Sequence, residues 1–180
     1  MKLKVNAKLD SGFMPMALVC REMRENTRDN GQDIALAVER NQGYTYVYKT
    51  RIYKDNTGHD EENCKFIDRI AKTLLWVAGG YKITVAGSKV VGEYVKNTFC
   101  HGGTRDFDAR FMERVYERPF EVVVTDLENA PKEKSSASPV GKHLDGCRIG
   151  FDAGGSDRKV SAVVNGETVY SEEVVWFPKL

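Results

Sequence analysis

Residues 33–53, DIALAVERNQGYTYVYKTRIY, constrain this chain more than any other stretch. Ile34, Leu36 and Val38 alternate along DIALAVER (33–40), and YTYVYKTRIY (44–53) is dense in aromatic and β-branched residues. Between them Asn41-Gln42-Gly43 supplies a glycine for the positive φ that short hairpin loops demand. The segment therefore reads as an antiparallel hairpin. Ile34, Leu36 and Val38 share its apolar face, and Tyr44, Tyr46, Tyr48 and Tyr53 pack largely against the sheet.

Helical patterns surround this hairpin. From Gly12 to Arg24 the residues Phe13, Met16, Ala17, Cys20 and Met23 recur at three- and four-residue steps, the stripe of an amphipathic helix. A second helix begins near Asp60, which is placed to cap it, with Glu61 and Glu62 suited to the positive end of its dipole. Its stripe of Phe66, Ile67, Ile70, Ala71, Leu74 and Leu75 stops at Gly79-Gly80. KITVAG (82–87) is a short buried strand. Ser88 caps a helix carrying Val91, Tyr94 and Val95. A further helix spans about 106–117, halted by Pro119, and FEVVVTD (120–126) is a strand. Residues 2–6 are a candidate short strand. Hairpin, helix, strand, helix, helix and strand imply an α/β fold, a mixed sheet with covering helices.

ENAPKEKSSASPVGKHLDG (128–146) breaks this pattern, with prolines, serines and charges but few apolar residues, and reads as a linker. The expected division is thus a domain over 1–127, a linker over 128–146, and a C-terminal β-hairpin or three-stranded extension over 147–180. The extension consists of CRIGFD, a glycine loop, KVSAVV, Asn165-Gly166 with the signature of a type I′ turn, and ETVYSEEVVW.

Charge and cysteine content narrow the function classes. The 27 basic and 26 acidic residues are interleaved, giving a net charge of +1. That balance, and the lack of a helix-turn-helix pattern, argue against nucleic acid as a partner. Cys20, Cys64, Cys100 and Cys147 are widely spaced without a C-x-x-C pair, unlike a zinc site. The N-terminus lacks the apolar core of a signal peptide, and the longest apolar run, Leu74–Ala78, falls far short of the ~20 residues of a membrane helix. A reduced, cytoplasmic protein with no membrane partner is expected.

The motif with mechanical content is the glycine loop in IGFDAGGSDRKVSAVVNGETVY (149–170). Asp152 ends a strand, Gly154 and Gly155 permit a bend whose amide N–H groups turn outward, Ser156 adds a hydroxyl, and Arg158 and Lys159 add charge. Successive N–H groups in a bend cradle an anion, and a carboxylate can hold a water on Mg²⁺ that escorts phosphates. The competing reading is a plain hairpin with a tight Gly-Gly turn.

The order of apolar strand, Asp, Gly-Gly-Ser, strand, Asn-Gly and strand resembles the phosphate-1 element of the hexokinase–actin–heat-shock superfamily. It is most similar to the ROK family of sugar kinases and repressors, whose signature is D-x-G-G-T-K. Here Asp152-Ala153-Gly154-Gly155-Ser156-Asp157 keeps the hydroxyl but has Asp157 where the family often has Lys or Asn, so Lys159 or Arg158 would supply the compensating charge. The resemblance covers residues 147–176. It implies that Gly154, Gly155 and Ser156 contact the β- and γ-phosphates of MgATP, with Asp152 near Mg²⁺ and a sugar as the phosphoryl acceptor. It also implies a catalytic Asp, sugar-binding residues and an adenosine segment, none of which the chain matches. An isolated loop is expected to hold ATP weakly. Three or four charge-assisted hydrogen bonds of ~1.5–3 kcal/mol each barely offset an association cost of ~4–15 kcal/mol.

Two expectations follow. The chain is the N-terminal portion of a longer ROK-like sugar kinase, with Phe177-Pro178 starting a connection and residues 1–127 following the order of an actin-like or ribonuclease H-like lobe. Alternatively it is a non-enzymatic binding or self-assembly module whose strand edges pair with a second copy as a homodimer. The remaining candidates have plainer readings. HGGTRDFD (101–108) offers His101, Thr104 and Arg105 to an anion but reads better as a loop before a helix capped near Asp106. Cys100-His101 lacks two further metal ligands, and His59 and His143 fall in polar, solvated loops.

Overall fold

A computed structural model of the chain describes residues 5, 7–10, 12–135, 141 and 143–178. It divides into two units, Met1–Ser136 and Ala137–Leu180. The strand expected at 2–6 lies outside the described residues except for Val5. The division falls inside the segment expected to be a linker.

In the first unit the hairpin forms as β1 (Gly31–Glu39) and β2 (Thr45–Tyr53), paired antiparallel over their whole length. Gln42 and Gly43 both adopt positive φ, 65° and 70°. β3 (Lys82–Ala86) runs antiparallel to β1, and β4 (Glu121–Thr125) parallel to β3, giving the sheet order β2-β1-β3-β4. Because side chains alternate along a strand, Ile34, Leu36 and Val38 share a face with Ile83 and Val85, and all five are buried. The fold is therefore α/β with a mixed four-stranded sheet.

Among the described residues four α-helices accompany that sheet: α1 (Met16–Asn26), α2 (Asp60–Ala78), α3 (Lys89–Thr98) and α4 (Asp106–Tyr116). α1 starts at Met16 rather than Gly12, because Pro15 occupies the capping position and its carbonyl accepts from Leu18 and Val19. α2 buries Phe66, Ile67, Ile70, Ala71, Leu74 and Leu75, the expected stripe, and ends at Gly79 with φ 71°. Asp60 does not cap it; Asp60 is the first helical residue and its Oδ1 accepts from the Asn56 N–H. Ser88 does cap α3, its Oγ accepting from the Val91 N–H at 3.1 Å. α3 lies so close to β4 that a Cβ on Gly92 would collide with Val124.

The opposite face of the sheet is built from small side chains. Ala35 is paired with Ala86 and Ala37 with Thr84, and all four are buried. The chain leaving β4 crosses this face. A short 3-10 turn at Leu127–Asn129 contacts β1 and β3. Lys134 then exchanges two backbone hydrogen bonds of 3.0 Å with Thr45. Residues 128–135, the first part of the segment 128–146 read from composition as a linker, thus belong to the first unit.

The second unit is a three-stranded antiparallel sheet, β5 (Cys147–Ala153), β6 (Asp157–Val164) and β7 (Glu167–Val175), in the order β5-β6-β7. Asn165 and Gly166 have φ of 49° and 88°, the two positive values a type I′ turn requires. None of its described residues is buried.

Candidate functional site

The β5–β6 connection brings the sequence-predicted phosphate residues together. Gly154, Gly155 and Ser156 form the loop, with Ala153 and Arg158 as the last strand partners beneath it. The loop is anchored through its acceptors. The Trp176 indole Nε1 donates to the Gly154 carbonyl at 2.8 Å, and the Trp176 backbone N–H donates to the Ser156 carbonyl at 3.1 Å. The N–H groups of Gly154, Gly155 and Ser156, and the Ser156 hydroxyl, take part in no hydrogen bond among the described residues. Donors are left uncommitted while acceptors are used.

The two glycines differ in what they permit. Neither has a positive φ. A Cβ on Gly154 would lie 2.9 Å from the Asp157 carbonyl oxygen and 3.0 Å from its Oδ1, whereas one on Gly155 would meet nothing within 4 Å. Gly154 is thus required by the fold of the turn, and Gly155 is not.

Charges near the loop share one face of the sheet. Asp152 is opposite Lys159 on β6, and Lys159 is opposite Glu173 on β7. Lys159 Nζ lies 3.8 Å from Asp157 Oδ1 and 3.6 Å from Glu173 Oε1. Its charge is therefore shared between two carboxylates, and it offsets Asp157 inside the sheet. Asp152 is exposed, and its carboxylate has no hydrogen bond or ion pair among the described residues. Arg158 lies in the row that includes Ala153 and Val174, half-buried.

The second glycine feature is structural. Arg105 does not await an anion: its Nε and Nη2 both bond the Asp68 carboxylate, 3.1 Å and 2.5 Å away. That bond is the first cause of the raised guanidinium pKa. Asp106 accepts from the Gly102 N–H, and the Arg110 hydrogen bond, then the Gly102 amide, hold its carboxyl below the usual range. His101 Nε2 meets Glu113 Oε2 at 2.8 Å. The Phe120 N–H, followed by His101, lowers the Glu113 pKa. Cys100 Sγ donates to the Asn97 carbonyl. Thr104 is exposed. The segment is a loop leading into α4, as its plainer reading holds, but Asp106 is the first helical residue and no side chain caps the helix.

His59 and His143 are exposed as expected, but His59 also stacks on Tyr53 with ring centroids 4.0 Å apart and meets Glu62. Glu61 pairs with Lys65. Tyr48 and Tyr53 pack on the core, while Tyr46 remains 46% exposed. All four cysteines are free. Among the described residues no group of three or more His, Cys, Asp or Glu is placed to hold a metal ion, and no helix is long and apolar enough to cross a membrane.

Trp176 is the site residue that sequence reasoning missed. The available signal was its position just past β7, level with the start of β6 through the Asp157–Val175 pair. Comparison with protein-family models, with curated proteins and with solved structures finds no match for this chain.

Proposed function

We propose that β5, the Gly154–Ser156 loop, β6 and β7 form the phosphate-cradling opening of an actin-like ATPase lobe of the ROK sugar-kinase type. In a complete lobe the reaction is phosphoryl transfer from MgATP to a sugar hydroxyl, and this chain supplies one side of the clamp. The supporting observation is the division of labour in the loop. Trp176 holds its carbonyls, which leaves the N–H groups of Gly154, Gly155 and Ser156 and the Ser156 hydroxyl free for phosphate oxygens. Asp152, without a partner, is the carboxylate that would stand beside Mg²⁺, and Lys159 contributes a charge already tempered by Asp157 and Glu173. Catalysis of this kind rests on positioning and charge neutralisation. The four free thiols fit a reducing cytoplasm.

Titrating the ¹⁵N-labelled chain with MgATP tests this reading. The amides of Gly154, Gly155 and Ser156 should move together with millimolar affinity. Loop amides that stay still in tens of millimolar nucleotide refute the phosphate reading, and micromolar affinity refutes the single-sided clamp.

A second reading has its own observation. Ile149 and Phe151 on β5 are 80% and 64% exposed, and β5 and β7 each have one edge unpaired within their sheet. A non-enzymatic module that pairs with a second copy through this sheet would use that surface. Light scattering separates the readings: a homodimer lost in Phe151→Ser supports self-assembly, and a monomer at all concentrations removes it.

A further inference from the structure

The turn of the first hairpin and the last turn of α2 enclose a cavity of about 370 Å³, within the size range of small-molecule sites. Leu74, Val77 and Ala78 of α2 give it an apolar wall, and Tyr44 lies at its side. Two cations flank that ring. The Arg40 guanidinium carbon is 5.7 Å and the Lys134 Nζ 5.6 Å from the Tyr44 centroid. Both distances lie within cation–π range.

The fold places these cations without needing their charge. The Arg40 N–H donates to the Tyr44 carbonyl at 2.9 Å, closing the turn. Lys134 is fixed by its two backbone bonds to Thr45, and its Nζ donates to the Gln42 carbonyl at 2.8 Å. Among the described residues neither cation forms an ion pair with a carboxylate. Glu133 lines the same cavity yet pairs with neither of them. The carboxyl end of α2 adds a partial negative charge of only about half a unit. Two like charges therefore stand beside one ring at a cavity mouth with incomplete compensation.

We infer that this cavity binds a small organic anion, a carboxylate or phosphate carried on a compact apolar or aromatic body. The body would lie against Leu74, Val77 and Ala78, and the anionic group would sit between Arg40 and Lys134 beside Tyr44. The site is remote in sequence from the β5–β6 loop and independent of the kinase reading.

The test uses the ¹⁵N-labelled full chain and phenyl phosphate, with benzyl alcohol and inorganic phosphate as partial ligands. Phenyl phosphate should give saturable shifts confined to the amides around Arg40–Tyr46, Leu74–Gly79 and Glu133–Ser135, and either partial ligand should bind at least tenfold more weakly. Arg40→Gln with Lys134→Gln should weaken phenyl phosphate at least tenfold, while Lys134→Arg, which keeps the charge and the backbone bonds, should retain it. Absent shifts, equal binding of benzyl alcohol or of inorganic phosphate, or unchanged affinity in the double variant would overturn the inference.

Discussion

The two units of this chain solve the folding problem differently. The first hides Ile34, Leu36, Ile67, Leu75, Ile83, Val85 and Val91 almost completely, and many of its polar groups are spent on itself. Arg105 clasps Asp68, Ser88 bonds Asp55, and Asn63 bonds the backbone of Tyr53 in both directions. In the second unit none of the described residues is buried, and its shape comes from turn chemistry and strand register. Away from Arg40 and Lys134, these polar side chains of the first unit have structural partners. In the second, groups such as Asp152 and the Ser156 hydroxyl have none. That contrast is the physical reason for looking to the second unit for a phosphate cradle despite its small size.

The largest expected effect is in the first unit. Leu75 is fully buried against the sheet, so Leu75→Ala should cost ~2–5 kcal/mol through lost burial and a residual cavity, measured by urea unfolding. Phe151→Ala on β5 should leave that same transition within experimental error. An equal loss from both substitutions would mean that the exposed face of β5 contributes to the stability of the first unit, and the contrast would fail.

Trp176→Phe sharpens the comparison on the other side. It keeps a ring but removes the indole N–H that holds the Gly154 carbonyl. The lost bond is worth ~0.5–1.5 kcal/mol, so the loop amides should exchange faster and shift while the first unit is untouched. If the Gly154–Ser156 amides keep their shifts and protection, the anchoring of the loop through its acceptors is wrong.

Much of the first unit was legible because its signals are local. Gly43 in the hairpin, the Ser88 cap, and the α2 stripe with its Gly79 stop each reveal themselves within a few residues, as Asn165-Gly166 does in the second unit. What stayed hidden depends on partners distant in the chain. Arg105 looked available for an anion because Asp68 lies 37 residues away. Residues 128–135 looked like linker because the surface this stretch covers, the row of Ala35, Ala37, Thr84 and Ala86, is made of side chains too small to announce a buried face. The glycine loop itself was legible as a motif. Its anchor was not, because Trp176 reaches Gly154 across 22 residues and one intervening strand.

A smaller effect is confined to acid and tests how firmly the first unit uses its charges. Glu113 accepts from the Phe120 N–H and meets His101, and its pKa is lowered from an ordinary value near 4.5. A carboxyl with a depressed folded pKa contributes stability above its unfolded pKa and loses it as pH falls through the folded one. Wild-type stability should therefore decline below about pH 4.5 in part through this group, and Glu113→Gln should flatten that part of the curve. A variant whose acid limb superimposes on the wild type would show that the charge of Glu113, facing the Phe120 N–H and His101, contributes nothing to stability.

The smallest structural effect separates the glycines of the loop. Gly154→Ala must displace the Asp157 carbonyl, 2.9 Å from the new methyl, and should shift the whole β5–β6 turn. Gly155→Ala meets nothing within 4 Å and needs no unusual φ, so its effect on folding should be within ±0.5 kcal/mol. A glycine without a structural reason is informative only if something outside the unit must approach it. Gly155→Ala should therefore leave the free loop's amide spectrum nearly unchanged and weaken the shifts produced by MgATP. If both glycine variants bind MgATP as the wild type does, the Gly-Gly pair is a tight turn and nothing more, and the second unit loses its claim to cradle phosphate. If Gly155→Ala alone is silent in folding and damaging in binding, the vacant space over that residue is where the phosphates lie.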